Sequence, residues 1–149
     1  MKQTYSPQAL KAPEGTRIAV ISTEWNANVT GLLATGAEEV LRAAGAEIER
    51  FEVPGAIELT FAARRLMQRG HYDAIIVCGC VIKGDTPHFD YVCQSVTQGV
   101  TALNALGEVP VIFAVLSVLD LQQALDRCGG PAGHKGREAA STALAMLKY

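Results

Sequence analysis

DAIIVCGCVI, residues 73–82, carries no charge after its opening aspartate. An apolar run of this length, with no polar alternation, suits a central parallel strand buried on both faces. KGDTP (83–87) ends it. Similar runs flank it at a distance: RIAVIST (17–23), PVIFAVLS (110–117) with Pro110 at its first position, and a weaker strand around Ile48, Phe51 and Val53 that stops at Pro54-Gly55. Helical stripes fill the gaps. Apolar residues at 29, 32, 33, 37, 40, 41 and 44 repeat every three or four positions, and Gly45 stops them. A second helix is expected over 56–69 with Ile57, Phe61, Ala62 and Leu66 inward. A third follows His88, with Phe89, Val92, Cys93, Val96, Val100 and Leu103 inward. DLQQALDRCGG (120–130) reads as a helix with Asp120 near its cap, and 136–149 as a last helix with Ala139, Ala140, Ala143, Leu144 and Leu147 on one face.

The alternation β-α-β-α-β-α-β-α-α predicts an α/β fold: a four-stranded parallel sheet with helices on both faces. Residues 1–15, with Pro7 and Pro13 and no helical period, are expected to form an extended arm before an α/β domain at 16–149. Such an arm is suited to covering an open sheet edge of a neighbouring subunit. A chain of 149 residues, 49% apolar, is long enough to bury roughly 70% of its unfolded surface without a metal or disulfide. A net charge of −2 argues against nucleic acid as a partner. No apolar run approaches the ~20 residues that span a bilayer. The start, MKQTYSPQALKAPEGTR, lacks a secretory apolar region, so a cytoplasmic protein is expected.

Four strand-to-helix turns converge on one edge of such a sheet, where open α/β sheets bind ligands. They are STEWNAN (22–28), VPGAIE (53–58), VIKGDTPH (81–88) and LSVLD (116–120). Trp25, the only tryptophan, sits in the first and suits either stacking on a planar ring or partial core burial. Lys83-Gly84-Asp85-Thr86 leads into a helix N-terminus, a place for an anion or simply a solvated, capped loop. No Walker or dinucleotide glycine motif occurs. His88, in the first helical turn, is placed either for proton transfer or merely to decorate a helix start. His134 falls in a flexible glycine-rich stretch. Arg127 near a helix C-terminus reads as end stabilisation or as a phosphate clamp with Lys135. Cys78 and Cys80 lie two apart and would bridge only under strain, so they read as packing residues; a metal site of Cys80, His88 and Cys93 is the sharper alternative.

PGAIE, GCVIKGDTPHFDYV, VPVIFAVL, ALDRCGG and AGHKGREAA, in that order across residues 54–140, together with EWN at 24–26, closely resemble the 6,7-dimethyl-8-ribityllumazine synthase family of riboflavin biosynthesis. The resemblance covers essentially the whole chain after the arm. It implies a flavodoxin-like three-layer domain, assembled as a homopentamer or multiples up to capsid-like shells, with active sites between adjacent subunits. It implies two small-molecule substrates, no metal and no cofactor, and riboflavin synthase as a candidate partner. By match of position, Trp25 and Asn26, then Ala56, Ile57 and Glu58, then Cys80, Val81 and Ile82 would hold the uracil substrate. Asp85 and Thr86 would bind the phosphate substrate, and His88 would carry protons. Phe113, packing on the heterocycle, and Arg127 and Lys135, binding phosphate, would come from the neighbouring subunit. Lys83, Ser117-Val118, Pro131 and His134 depart from the family's usual arginine, threonine pair, lysine and asparagine. A flavin- or lumazine-binding carrier, or a shell protein without turnover, is the alternative on the same fold.

Overall fold

The decisive run is strand β3 (Ala74–Ile82) in the computed structural model, which describes residues 10–149. It is buried from Ala74 through Val81. Strands β1 (Arg17–Thr23) and β4 (Val111–Val118) pair with it on either side, and β2 (Glu47–Val53) lies outside β1. The order is β2-β1-β3-β4 and every pairing is parallel. Successive side chains of a strand point to opposite faces, so β3 supplies two cores. Ala74, Ile76, Cys78 and Cys80 pack with helices α1 (Ala27–Ala43) and α5 (Lys135–Met146). Ile75, Val77 and Val81 pack with α2 (Glu58–Arg69) and α3 (His88–Ala105). This is the three-layer sandwich expected. Edge strand β2 turns Glu47, Glu49, Arg50 and Glu52 to solvent, charges that discourage stray pairing at an open edge.

Four expectations need correction. The segment 120–130 is not one helix: α4 covers only Leu121–Asp126, with Asp120 accepting from the Gln123 N–H. After Arg127 the chain turns into an antiparallel hairpin, β5 (Cys128–Gly130) and β6 (Gly133–His134). Gly129 and Gly133 take positive φ, 102° and 89°, which a continuing helix forbids. The inward face of α2 is Leu59, Ala63, Leu66 and Met67 with Ala62 packed beside it, so Leu66 and Ala62 lie inward as expected, while Ile57 and Phe61 are exposed. Leu32 of α1 is likewise exposed. His134 does not sit in a flexible stretch but caps α5. Of the expected arm, Ala12 donates its N–H to the Ala44 carbonyl, and residues 1–9 lie outside the described residues. Among the described residues no helix is long and apolar enough to cross a membrane.

Candidate active site

The chain runs from β1 outward to β2, then back across β1 to β3, so the carboxyl ends of β1 and β3 flank the point where the strand order reverses. Open parallel sheets bind ligands there because two connections diverge and leave a crevice. A cavity of about 370 Å³ opens at that point. Trp25 and Asn26 line it from the β1 turn, Gly55, Ala56, Ile57 and Glu58 from the β2 turn, and Cys80, Val81 and Ile82 from the end of β3. Gly84, Thr86, His88, Phe89 and Val92 close it from the α3 side. Thus all but one of the residues expected in this half, with Thr86 and His88, meet around one space. Asp85 is exposed in the same loop and does not line it.

Backbone bonds hold the turns together. The N–H groups of Glu24 and Trp25 donate to the carbonyls of Val53 (2.8 Å) and Pro54 (3.0 Å), joining the β1 and β2 turns. Thr23 Oγ1 donates to the Trp25 carbonyl at 2.6 Å. The tethered indole remains 75% exposed, which removes the core-burial reading and leaves a flat apolar surface at the cavity. Asn26 is the one described residue other than glycine with positive φ, 58°. Asparagine tolerates this left-handed geometry, and its Nδ2 donates to the Cys80 carbonyl at 2.9 Å, pinning the β1 turn to the end of β3. At the start of α3, the N-cap Pro87 has no N–H and no capping side chain, and the Asp90 N–H is taken by the Pro87 carbonyl at 3.0 Å, which leaves the His88 and Phe89 N–H groups for an anion. The Thr86 hydroxyl accepts only a long bond, 3.4 Å, from the His88 N–H.

Burial pushes the Cys80 thiol up to about 11 and the Cys78 thiol up to about 12. Both are therefore protonated packing groups rather than nucleophiles. Among the described residues no three His, Cys, Asp or Glu side chains converge as a metal site, so Cys80, His88 and Cys93 do not form one.

A second hollow, about 530 Å³, runs along the outer strand β4. Phe113, 43% exposed, lines it with Ser117, Arg127, Lys135 and Glu138. Arg127 Nη1 donates to the Gln123 carbonyl at 2.8 Å, so it does close the end of α4 and also faces the hollow. Lys135 pairs with Glu138 at 3.3 Å. No residue lines both hollows. Phe113, Arg127 and Lys135 are thus brought together, but apart from Trp25 and His88. Gly55, Phe89, Val92 and Glu138 were not singled out as site residues. Phe89 and Val92 read as core because their helical stripe continues into the true core at Val96; Glu138 was visible only as a carboxylate three positions after Lys135.

The sequence model of the family described as 6,7-dimethyl-8-ribityllumazine synthase matches residues 15–149. A Bacteroides fragilis protein of that name is 50% identical over 136 residues, covering 89% of this chain and 95% of its own length. One from Phocaeicola vulgatus is 44% identical over 148 residues, covering 97% and 88%. One from Micrococcus luteus is 45% identical over 143 residues, covering 95% and 89%.

Proposed function

The chain belongs to the 6,7-dimethyl-8-ribityllumazine synthase family, and on that premise we propose that its two hollows are halves of one active site, joined where two copies meet. The enzyme condenses 5-amino-6-(D-ribitylamino)uracil with 3,4-dihydroxy-2-butanone 4-phosphate. The products are the lumazine, phosphate and water, in riboflavin biosynthesis.

The primary amine of the uracil substrate attacks the ketone of the other and water leaves, giving an imine. Loss of the C3 proton expels phosphate from C4 and leaves an enol, which tautomerises to a new ketone at C3; the ribityl-bearing nitrogen adds to that ketone and a second water leaves, closing the ring. Trp25 stacks on the pyrimidinedione. Asn26, Ala56, Ile57, Glu58, Cys80, Val81 and Ile82 shape the space around it and its ribityl chain. His88, at the cavity edge, moves the protons. Asp85, Thr86 and the open helix start of α3 meet the phosphate from one subunit, and Arg127 and Lys135 grip it from the next, while Phe113 covers the ring. Imine formation needs little activation. Holding two reactants in register supplies effective molarities of about 10⁵–10⁸ M, against ~10²–10⁴-fold from one acid-base group.

The observation that carries this reading is the separation of Trp25 and His88 from Arg127 and Lys135. With no lining residue in common, the two sets are read as meeting one bound pair of substrates across a boundary between copies. A pentamer or a multiple of it fits this arrangement; a cytoplasmic setting and riboflavin synthase as a partner follow from the family reading alone. The test mixes both substrates with the protein and follows lumazine absorbance with phosphate release. Charge-assisted contacts to phosphate contribute about 1.5–3 kcal/mol, so Arg127→Ala is expected to raise KM for the phosphate substrate about 10- to 100-fold. An unchanged KM would refute the clamp.

A further inference from the structure

We propose that His134 is a positioning residue: through the β5–β6 hairpin and the start of α5 it holds Arg127 and Lys135 at the spacing that phosphate binding needs. The inference rests on the reading of Arg127 and Lys135 as the phosphate clamp.

The two cations lie eight positions apart, and the hairpin between them sets their separation. Cys128, next to Arg127, is the β-partner of His134, next to Lys135. The Lys135 N–H donates to the Arg127 carbonyl at 2.9 Å and closes the pair. With Cys128, which packs against the core, His134 attaches this unit to the rest of the molecule. Its Nδ1 accepts the Arg137 N–H at 3.2 Å as the N-cap of α5. Its ring fills the space that a side chain at Gly36 of α1 would need: a Cβ there would lie 2.5 Å from Nε2 and 2.9 Å from Nδ1. Gly129 of β5 faces the ring as well, its would-be Cβ 3.5 Å from Cδ2. One imidazole therefore packs against α1, β5 and the first turn of α5.

The cap requires an unprotonated Nδ1. Burial, and then the Arg137 guanidinium, hold His134 below the ordinary histidine range; Glu39 of α1 and Glu138 of α5 oppose them. Arg137 is itself paired with Glu39 at 2.8 Å and Lys135 with Glu138, and the facing Cys128 thiol, raised by burial, is uncharged. A histidine with a lowered folded value contributes fully above its unfolded value. It loses that contribution as pH falls through the folded one. Protonation replaces an acceptor by a cation at the positive end of α5, so the cap opens and the clamp loosens.

The assembled enzyme is assayed with the phosphate substrate varied, at about pH 7.5 and in steps down to about pH 4.5, because burial places the His134 ring below the ordinary histidine range. The substrate's own phosphate titrates near pH 6, so wild type is compared with His134→Asn, which keeps a capping oxygen and cannot titrate. The ratio of wild-type to variant KM is expected to rise about fivefold on acidification, the scale of one capping bond. The kcat ratio and the KM ratio for the uracil substrate should stay constant. A KM ratio independent of pH overturns the inference. Arg127→Ala separates the two levels: if it raises KM while the ratio stays flat, the clamp stands and His134 does not position it; if it changes nothing, the clamp reading itself is wrong. Should the asparagine variant not assemble, His134→Ser is read by the same ratio.

Discussion

Trp25 is held at the cavity by its backbone and by Thr23, not by packing of its indole. Its side chain is therefore free to serve a ligand, and its loss should affect binding far more than folding. Trp25→Ala is expected to weaken binding of the uracil substrate by about 1–3 kcal/mol, the usual worth of a ring stacked on an aromatic, by calorimetry. Folding stability in a urea titration should move by less than about 0.5 kcal/mol, as for other exposed sites. His88→Ala should lower kcat by about 10²-fold or somewhat more yet leave turnover detectable, because positioning of both substrates survives. Trp25 and His88 were legible in the sequence for one reason: each lies in the polar turn that follows an apolar run, at the sheet edge where ligands bind. Arg127 was legible only as two open readings, and the structure satisfies one of them through the Gln123 carbonyl while leaving the other to the hollow it faces. The left-handed geometry of Asn26 left no trace in the sequence, since nothing in EWNAN distinguishes a strained turn from an ordinary one.

Helices α1 and α5 cross so closely that a Cβ on Gly136 would run into the Leu33 carbonyl. Backbone cannot move aside as a flexible side chain can. Gly136→Ala is expected to cost about 3 kcal/mol, at the upper end of overpacking, read as a lower urea midpoint with an unchanged slope. The neighbouring contact of His134 on Gly36 belongs to the same crossing, which is why a substitution in either glycine should also disturb the clamp cations beside it. Strands and helices were readable wherever burial imposes a period. β3 was plain because both its faces are covered. In α2 only Leu66 and Ala62 were readable as inward, because Phe61 and Ile57 are apolar residues facing outward, and periodicity alone does not say which apolar residues at a stripe's margin meet the sheet. The β5–β6 hairpin escaped because CGGPAGH has too few side chains to show any alternation; its glycines mark turns without saying what they join.

Trp25 and His88 line the hollow at the switch point and Arg127 and Lys135 the hollow along β4, so on the proposed reading each copy of the chain offers a different half of the site on each flank. An interface of this kind is heterologous, and repeated around an axis it closes into a ring. Family likeness in the sequence implied both the residues of the two halves and their division between neighbouring subunits; what it left unread is that β4 stands at the edge of the sheet, which gives its hollow an open side. The consequence can be tested without any structure of the assembly. A variant carrying Trp25→Ala and His88→Ala keeps its Arg127 half, and one carrying Arg127→Ala keeps the other half; each alone should be strongly impaired. Unfolded together in equal amounts and refolded, they should form mixed rings in which about one quarter of the interfaces pair two intact halves. Lumazine formation should then recover to about one quarter of the wild-type rate, with an unaltered KM for the phosphate substrate at those restored sites. A mixture no more active than the mean of its two components would mean that each chain holds a whole site within itself.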